Sequence, residues 1–403
     1  MVILAVICHV SRENVRRIRS GAATFALSSL RWAARSPRDE RHDWPASIRH
    51  AFQVDAEPNL FSSPLPITKA RLNLNPPGAD YLTTRRLLDP DEVLLRLETR
   101  LGPFHAQFRL GMEREHEAQA FGQGLNFLHL ENLPLMQVMI EIALRVTGTY
   151  WRGRANAREV QVRRNLVRLP NLPRAFDGFT VLHLSDLHAD LSGPAMQRAA
   201  ELAHDLAYDL CVLTGDYRGR THGDWRPCLE GVARLCEALR GDIYAVLGNH
   251  DSIAMVPDLE ALGIRMLLNE CIAIDRGGAL IYLAGVDDAH FYRADNIEKA
   301  AAEIPQGYVS ILLSHTPEIY RQAAHAGFAL MLSGHTHGGQ ICLPGGIPIL
   351  LEADLPRAFG AGAWQHAGMA GYTSVGAGSS VVPVRFNNRP EITLHQFVRG
   401  VPQ

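Results

Sequence analysis

The sequence predicts a layered α/β domain that begins at Phe176 and extends to residue 403. In this part of the chain, short aliphatic runs alternate with segments of helical periodicity, a pattern typical of strands connected by helices. Five of the aliphatic runs also end in a short loop that contains Asp, Asn or His. Because the carboxyl ends of strands in such sheets share one edge, the same pattern predicts a polar crevice there.

The individual elements follow from these two signals. Strands that end in polar loops are predicted at residues 180–184, 210–213, 243–247, 309–313 and 328–332. Helices are predicted at residues 194–207, 227–239, 256–262, 296–302 and 316–326. A further strand, 280–284, is followed by Asp287 and Asp288, which either border the crevice or cap a turn.

The chain before residue 176 has two segments that differ in their sequence periodicity. Residues 1–111 show little sustained periodicity, apart from helix signals at 89–100. Residues 112–175 contain one predicted amphipathic helix, 133–147, and then a stretch rich in arginine. We therefore predict a poorly patterned N-terminal extension (1–111), an amphipathic helix with a basic linker (112–175) and the layered domain (176–403). Because the extension contributes no motif, a chain that starts at Met112 is expected to fold and function fully.

Charge and cysteine content exclude some classes of partner and compartment. The chain has 40 Lys and Arg against 42 Asp and Glu, a net charge of −2, so it has no overall positive charge that attracts nucleic acid. We therefore expect no nucleic-acid partner. The six cysteines are scattered and form no CxxC pair, as is typical of buried thiols in a reducing compartment. We expect a cytoplasmic location.

The residues in the five polar loops are of the types that bind two divalent cations. Carboxylates supply negative charge and bridge ions, while neutral imidazoles and an amide oxygen complete the coordination shells. Two ions about 3.5–4 Å apart clamp a phosphoryl oxygen and lower the pKa of water. Glycine precedes Asp216, Asn249 and His335 and should allow tight turns there. The loops contain no cysteine, which argues against a closed structural zinc site. The candidate residues are Asp186, His188, Asp216, Asn249, His250, Asp251, His315, His335 and His337.

In order and spacing, these loops resemble the calcineurin-like metallophosphoesterase superfamily. The resemblance covers about residues 176–403 and rests on Asp186-x-His188, Gly215-Asp216, Gly248-Asn249-His250-Asp251, His315 and Gly334-His335-x-His337. It implies a four-layer α/β/β/α sandwich, in which two mixed sheets lie back to back with helices outside. It also implies a metal-dependent hydrolase of phosphoric esters or diphosphates.

The resemblance further implies a role for each residue. Asp216 would bridge two metals. His250 would bind no metal but would protonate the leaving oxygen, and Asp251 would orient the His250 ring. Mn²⁺ is the favoured metal, with Fe and Zn as alternatives. One metal would be held by Asp186, His188 and His337, and the other by Asn249, His315 and His335.

Two stretches resemble a bacterial branch of the superfamily, Gly334-His-Thr-His-Gly-Gly-Gln340 and Pro383-Val-Arg-Phe-Asn-Asn-Arg-Pro-Glu391. Members of this branch are often membrane-associated, and some cleave the pyrophosphate of a nucleotide-diphospho-lipid. Ser/Thr protein phosphatases carry Asp-Arg-Gly soon after the bridging Asp, whereas residues 216–220 read Asp-Tyr-Arg-Gly-Arg. A protein phosphatase activity is therefore disfavoured. The second stretch contains three residues that either contact substrate phosphate or form a turn, namely Arg385, Asn387 and Asn388.

The leading interpretation is hydrolysis of a phosphodiester or pyrophosphate, in a lipid or nucleotide-lipid at the membrane surface. Helix 133–147 has a wide apolar surface but is too short to span a bilayer. With Tyr150, Trp151 and the arginines up to residue 168, it suits the cytoplasmic face of the inner membrane. Alternatively, the helix packs on the layered domain or on a second subunit. The alternative functions are a soluble phosphodiesterase of cyclic nucleotides or small molecules and, more remotely, a non-catalytic interaction scaffold.

Overall fold

The computed structural model describes residues 89–120 and 134–400. Residues 1–88 of the predicted extension and the first residue of the predicted helix 133–147 lie outside the described residues. In the described part, the strands are β1 (Gln161–Leu169), β2 (Thr180–Leu184), β3 (Leu210–Leu213), β4 (Ile243–Ala245), β5 (Ile264–Met266), β6 (Glu270–Arg276), β7 (Ala279–Gly285), β8 (Ser310–Leu313), β9 (Leu330–Ser333), β10 (Cys342–Leu343), β11 (Ile347–Pro348), β12 (Gly362–His366), β13 (Met369–Thr373) and β14 (Glu391–Arg399).

Helices connect many of these strands, and the five that were predicted after residue 176 are all present. Helix 133–147 also agrees with the structure over its described length. Over the same part of the chain, the helices are α1 (Pro90–Leu101), α2 (Pro103–Ala120), α3 (Pro134–Val146), α4 (Tyr150–Asn156), α5 (Gly193–Asp205), α6 (Arg226–Ala238), α7 (Val256–Ala261), α8 (Ile297–Ala301) and α9 (Tyr320–His325).

The strands form two six-stranded mixed sheets and one short hairpin. The first sheet has the order β1-β14-β2-β3-β4-β5, and the second has the order β12-β13-β9-β8-β7-β6. In the first sheet, β2, β3, β4 and β5 are parallel to one another, and β1 and β14, which are parallel to each other, run in the opposite direction. In the second, β7, β8, β9 and β13 are parallel, and the edge strands β6 and β12 are antiparallel. The parallel strands bring the candidate loops to common edges.

The two sheets pack face to face, and helices cover their outer faces. Successive side chains of a strand point to opposite faces, so Val181 and Leu182 of β2 belong to different clusters. Val181 lies in the apolar core shared by both sheets, whereas Leu182 packs in a cluster with residues of α5 and α6. In the second sheet, Met331 of β9 packs with Ala300 of α8 and Tyr320 of α9. The predicted four-layer α/β/β/α sandwich is therefore confirmed.

Two packed elements cross or lie outside the predicted boundaries of the layered domain. β1 lies within the predicted linker 112–175, yet it pairs in parallel with β14 along its whole length. α2 runs through the predicted boundary at residue 111, and its Ala106 and Arg109 are fully buried. Hydrophobic periodicity missed both elements, because β1 is an edge strand with exposed arginines and α2 buries charged side chains. Residues 90–120 and 161–169 are therefore integral parts of the domain.

Candidate metal centre

The loops after β2, β3, β4, β8 and β9 bring their polar side chains into one buried cluster. All seven predicted metal ligands meet there, and none of them is more than 8% exposed. His250 and Asp251, the two predicted catalytic residues, are buried beside them. The expectation that these loops converge is met, because every candidate residue directly follows a strand whose carboxyl end lies at the shared edge.

The first group of candidate ligands consists of Asp186, His188 and His337. Their ligand atoms all lie within 4.8 Å of one another. Nε2 of His188 lies 3.1 Å from Nε2 of His337, which in turn is 3.4 Å from Oδ1 of Asp186. Nδ1 of His188 donates a hydrogen bond to the carbonyl oxygen of Arg218 at 2.9 Å. This bond fixes the tautomer and leaves Nε2 with a lone pair that faces the cluster, as in histidines that bind metal.

The second group contains Asn249, His315 and His335. Oδ1 of Asn249 lies 3.0 Å from Nε2 of His315 and 2.9 Å from Nδ1 of His335. Nδ1 of His315 donates to the carbonyl oxygen of Thr214 at 2.7 Å, so this ring also presents Nε2 to the cluster. These three side chains converge on one point from three different loops.

Asp216 lies between the two groups. Its Oδ2 is 3.2 Å from Nε2 of His315 and 3.9 Å from Nε2 of His188. Asp216, Asp186 and His315 also have ligand atoms within 4.8 Å of one another. The other oxygen, Oδ1, accepts the backbone N–H of His250 at 3.0 Å and is thereby held in place. One carboxylate oxygen of Asp216 therefore faces both groups, as a bridging ligand does.

The electrostatics of the cluster favour bound cations. Burial lowers the pKa of His315, but the carboxylates of Asp216 and Asp186 outweigh burial and raise it to about 10. Burial and neighbouring imidazoles hold the pKa values of His335 and His337 well below the usual range, so both rings are neutral. Nε2 of His335 is also buried without a hydrogen-bond partner in the described residues. Closely spaced oxygen and imidazole donors with two buried carboxylates fit divalent cations.

The backbone of this cluster adopts conformations that side chains other than glycine rarely take. Five of the seven candidate ligands have positive φ, Asp186 at 51°, His188 at 41°, Asp216 at 56°, His335 at 70° and His337 at 49°. Such strain persists where surrounding packing holds it, and it concentrates at functional sites.

The predicted role of the glycines is confirmed at two close approaches. A Cβ on Gly248 would lie 2.1 Å from Oδ1 of Asp216, and one on Gly334 would lie 1.9 Å from Oγ of Ser185. Neither position has room for any side chain, because both distances are far below van der Waals contact. The loops of Asp216 and Asn249 therefore approach each other as closely as they do only because residue 248 is glycine.

The carboxylate of Asp251 makes several buried hydrogen bonds. Its carboxylate accepts hydrogen bonds from the backbone N–H groups of Gly248 and Asp216, both at 2.8 Å, and of Tyr217 at 2.9 Å. It thus joins the loop of Asp216 to the loop of Asn249. The His250 ring is held by Thr221, whose Oγ1 lies 3.0 Å from Nδ1 of His250. Sequence reasoning missed Thr221, because it lies in a loop without a motif.

The alternatives left open for the acidic pair after β7 are now resolved. Asp288 caps a turn, since its carboxylate accepts the backbone N–H groups of His290, Phe291 and Tyr292. Asp287 is fully buried and pairs with Arg109 of α2. Neither carboxylate belongs to the metal-ligand groups.

Arg385, Asn387 and Asn388 precede β14 and donate hydrogen bonds to backbone carbonyl oxygens. Arg385 is fully buried and donates to the carbonyl oxygens of Val375 and Gly378. Asn387 donates to the carbonyl oxygen of Cys342 at 2.8 Å. Asn388 donates to the backbone carbonyl oxygen of His337 at 2.6 Å and so helps to hold the backbone of this candidate ligand.

Comparison with known proteins agrees with this geometry. Residues 179–339 match the calcineurin-like phosphoesterase family. The metallophosphoesterase YkoQ of Bacillus subtilis is 29% identical over 275 residues, which cover 65% of this chain and all of YkoQ. A transmembrane protein with metallophosphoesterase domain from Bos taurus is 29% identical over 70% of this chain and 68% of its own length. Phosphodiesterase YaeI of Escherichia coli is 27% identical over 55% of this chain and 82% of its own length. The match of residues 179–339 to the calcineurin-like phosphoesterase family and the similarity to these relatives indicate that the chain is a metal-dependent phosphoester hydrolase.

Proposed function

We propose that the protein is a binuclear phosphoesterase that hydrolyses a phosphodiester or pyrophosphate bond of a lipid or nucleotide-lipid at the membrane surface. The observation that carries the binuclear part is the position of Asp216, whose Oδ2 faces both His315 and His188. One metal would be held by Asp186, His188, His337 and Asp216, and the other by Asn249, His315, His335 and Asp216. The complete ligand set argues against a non-catalytic scaffold.

The residues around the two metals have separate tasks in this proposal. When bound, two divalent cations would polarise the phosphoryl group and activate water as the nucleophile. Nε2 of His250 lies 3.9 Å from Oδ2 of Asp216, so this nitrogen is directed toward the centre. His250 would donate a proton to the leaving oxygen, and Thr221 would hold its ring through Nδ1. Asp251 would keep the Asp216 and Asn249 loops in register.

The membrane part of the proposal is supported by the exposed face of α3 and α4. Four apolar side chains of α3 are at least half exposed, Val138 at 50%, Met139 at 52%, Ile142 at 55% and Val146 at 82%, and Trp151 of α4 is 67% exposed. The opposite side of α3 packs through Ile140 and Leu144 against Tyr150, Val382 and Val384. The helix is thus fixed to the domain on one side and offers an apolar strip on the other.

Apolar and basic side chains occur together on this surface, which suits anionic lipid headgroups. Arg152 is exposed and Arg154 partly exposed on α4, directly after Trp151. Across residues 89–120 and 134–400, no helix combines the length and the apolar character that a membrane crossing requires. We therefore propose peripheral contact with the cytoplasmic face of the inner membrane through residues 134–168. The Bos taurus relative is named as a transmembrane protein, which fits a site of action near a membrane.

A hydrolysis screen tests the proposed function. Purified protein with Mn²⁺, and in parallel with Fe²⁺ or Zn²⁺, would be assayed on a bis-aryl phosphodiester, cyclic nucleotides, phospholipids and nucleotide-diphospho-lipids in vesicles. Asp216→Asn serves as the matched inactive variant. Preference for the lipid-linked diphosphate in anionic vesicles supports the proposal. Preference for cyclic nucleotides, unchanged by vesicles, would favour the soluble phosphodiesterase, and no hydrolysis of any compound would favour the scaffold.

A further inference from the structure

Helix α2 (Pro103–Ala120) lies outside the part of the chain that matches the phosphoesterase family, residues 179–339. It nevertheless contacts the loop that carries Asn249 and His250. Two of its side chains, Arg109 and Glu113, make these contacts, and they form an ion pair with each other at 2.6 Å. None of the proposed catalytic tasks uses this helix.

Arg109 is fully buried, and each of its three guanidinium nitrogens has a hydrogen-bond partner. Its Nη2 donates to the backbone carbonyl oxygen of Asp251 at 3.1 Å, and its Nε donates to Oδ1 of Asp287 at 3.3 Å. The guanidinium carbon lies 3.4 Å from the centroid of the Tyr292 ring. A buried charge is costly unless it is paired and hydrogen-bonded, so these partners specify the position of the guanidinium group.

Glu113 holds the next two residues of the same loop. Its Oε2 accepts the hydroxyl of Ser252 at 2.5 Å, and its Oε1 accepts the backbone N–H of Ile253 at 2.7 Å. Arg109 and Glu113 together therefore bind residues 251–253, which immediately follow the candidate ligand Asn249 and the proposed acid His250. The contacts are made to backbone groups and to one hydroxyl, and they fix the path of the chain.

The helix is anchored independently of this loop. Nε2 of His105 lies 2.8 Å from Oδ2 of Asp287, which follows β7 of the second sheet. Burial raises the pKa of Asp287, but Arg109 and His105 outweigh burial and lower it, so the carboxylate is charged. α2 is thus tied to the second sheet at one point and to the His250 loop, which follows β4 of the first sheet, at another.

We infer that Arg109 and Glu113 are positioning residues, which hold the loop of residues 249–253 so that His250 faces the metal centre. The Asp251 carboxylate fixes this loop by accepting the backbone N–H of Asp216. Arg109 of α2 fixes it by donating to the backbone carbonyl oxygen of Asp251. Without Arg109, the carbonyl oxygen of Asp251 loses its side-chain partner in a buried site. A displacement of a catalytic group by about 1 Å can cost on the order of 10²-fold in rate. This inference rests on the proposed role of His250.

Two variants and one matched control test the inference. Arg109→Met removes the hydrogen bonds and keeps the bulk, and Glu113→Gln removes the charge at a partly exposed position and provides a second variant if the first does not fold. The control is Glu92→Gln, which removes an ion pair of the same i,i+4 spacing on the exposed face of α1. We expect kcat to fall by about 10- to 100-fold with both metals retained and KM changed by less than about twofold. The loss of kcat should be larger for substrates with poor leaving groups, and Glu92→Gln should keep the kcat of the wild-type protein.

Two further measurements separate positioning from general stability. In a His250→Ala background, Arg109→Met should lower kcat by less than about twofold, because the group that it positions is gone. Hydrogen exchange of residues 248–253 should be faster in Arg109→Met by at least about tenfold, while the core strands stay protected. Equal losses for all leaving groups and in both backgrounds, or unchanged exchange of this loop, would overturn the inference. If only the proposed function were wrong, the wild-type protein would hydrolyse no substrate but the exchange result would still hold.

Discussion

The hydroxyl oxygen of Thr221 lies 3.0 Å from Nδ1 of His250 and holds the imidazole ring whose other nitrogen faces Asp216. A hydroxyl can donate or accept, so this contact can be kept whether the ring is neutral or protonated. A carboxylate in the same place would favour the protonated ring, and Asp251 is engaged with backbone N–H groups instead. We therefore propose that Thr221 sets the orientation of the ring and that Asp251 acts on the loops.

Removing His250 should separate metal binding from proton transfer. His250→Ala should keep both metals and reduce turnover by on the order of 10²- to 10⁴-fold, the usual effect of a missing general acid. The loss should be smaller for nitrophenol esters, whose leaving group needs no proton. Thr221→Val, which removes only the hydroxyl contact, should show the same leaving-group pattern with a loss of about 10-fold. Kinetics with a series of phenols and elemental analysis measure both effects. Equal losses for good and poor leaving groups would contradict proton donation.

Asp216→Asn should affect both metals at once. The substitution removes the negative charge from the carboxylate that faces both ligand groups, so both sites should weaken and turnover should fall by orders of magnitude. Elemental analysis and titration with Mn²⁺ measure the metal affinity. Asn249→Ala is the matched comparison, because its side chain belongs to one group only. Two tightly bound metals and unchanged turnover in Asp216→Asn would rule out the bridging role.

Asp251→Asn should reduce stability and metal binding together. The buried carboxylate accepts three backbone N–H groups at 2.8–2.9 Å, and an amide can place an oxygen toward only some of them. Hydrogen bonds to charged groups contribute about 1.5–3 kcal/mol each, so we expect the free energy of unfolding to fall by at least about 2 kcal/mol. Chemical denaturation of the metal-free and metal-loaded forms would measure this. Wild-type stability with a selective loss of activity would instead return Asp251 to a role in catalysis.

The ligand loops could be predicted from the sequence because each follows an aliphatic strand and contains residues with metal-binding chemistry. Asp186, Asn249 and His335 are each recognisable from three or four neighbouring residues. Thr221 and Arg109 are not, because their roles depend on contacts with residues that are distant in the sequence. Arg109 contacts Asp251, 142 positions later, and no local pattern encodes that separation.

Helix α2 was missed for a related physical reason. Hydrophobic periodicity identifies a helix that buries an apolar face. α2 instead buries His105 and Arg109 against Asp287, and polar residues in a sequence normally indicate an exposed face. The positive φ angles of ligands such as Asp186 and His337 are likewise held by tertiary packing, since residues other than glycine are uncommon in this conformation.

These contacts reverse the expectation that a chain starting at Met112 folds and functions fully. That truncation removes Arg109 and His105 and leaves Asp287 as a buried charge without these partners, which costs about 3–5 kcal/mol. It also removes Leu97 and Ala106 from the apolar core. A chain that starts at Leu72 keeps α1 and α2 and is the matched control. In thermal unfolding, the chain that starts at Met112 should have a much lower melting temperature than the chain that starts at Leu72. Equal stability and activity of the two chains would show that α2 is dispensable.

The last prediction concerns the membrane. Met139 and Ile142 are 52% and 55% exposed on α3, so charges at these positions should not disturb the core formed by Ile140 and Leu144 on the other side. If this strip binds the headgroup interface, the wild-type protein should sediment with anionic liposomes at low salt. Met139→Glu with Ile142→Glu should release it, because carboxylates replace apolar contacts and repel anionic lipid. Hydrolysis of soluble substrates should stay unchanged.

Leu95→Glu with Tyr308→Glu is the control for added charge, since both side chains are exposed, at 64% and 45%, and neither belongs to α3 or α4. This variant should still bind liposomes, so loss of binding in the α3 variant alone would assign the contact to that helix. Raising the salt concentration should weaken binding through the arginines, because headgroup attraction is screened within about 10 Å at 0.1 M ionic strength. If the wild-type protein does not sediment at low salt, the apolar strip has another occupant, and the soluble phosphodiesterase becomes the better interpretation.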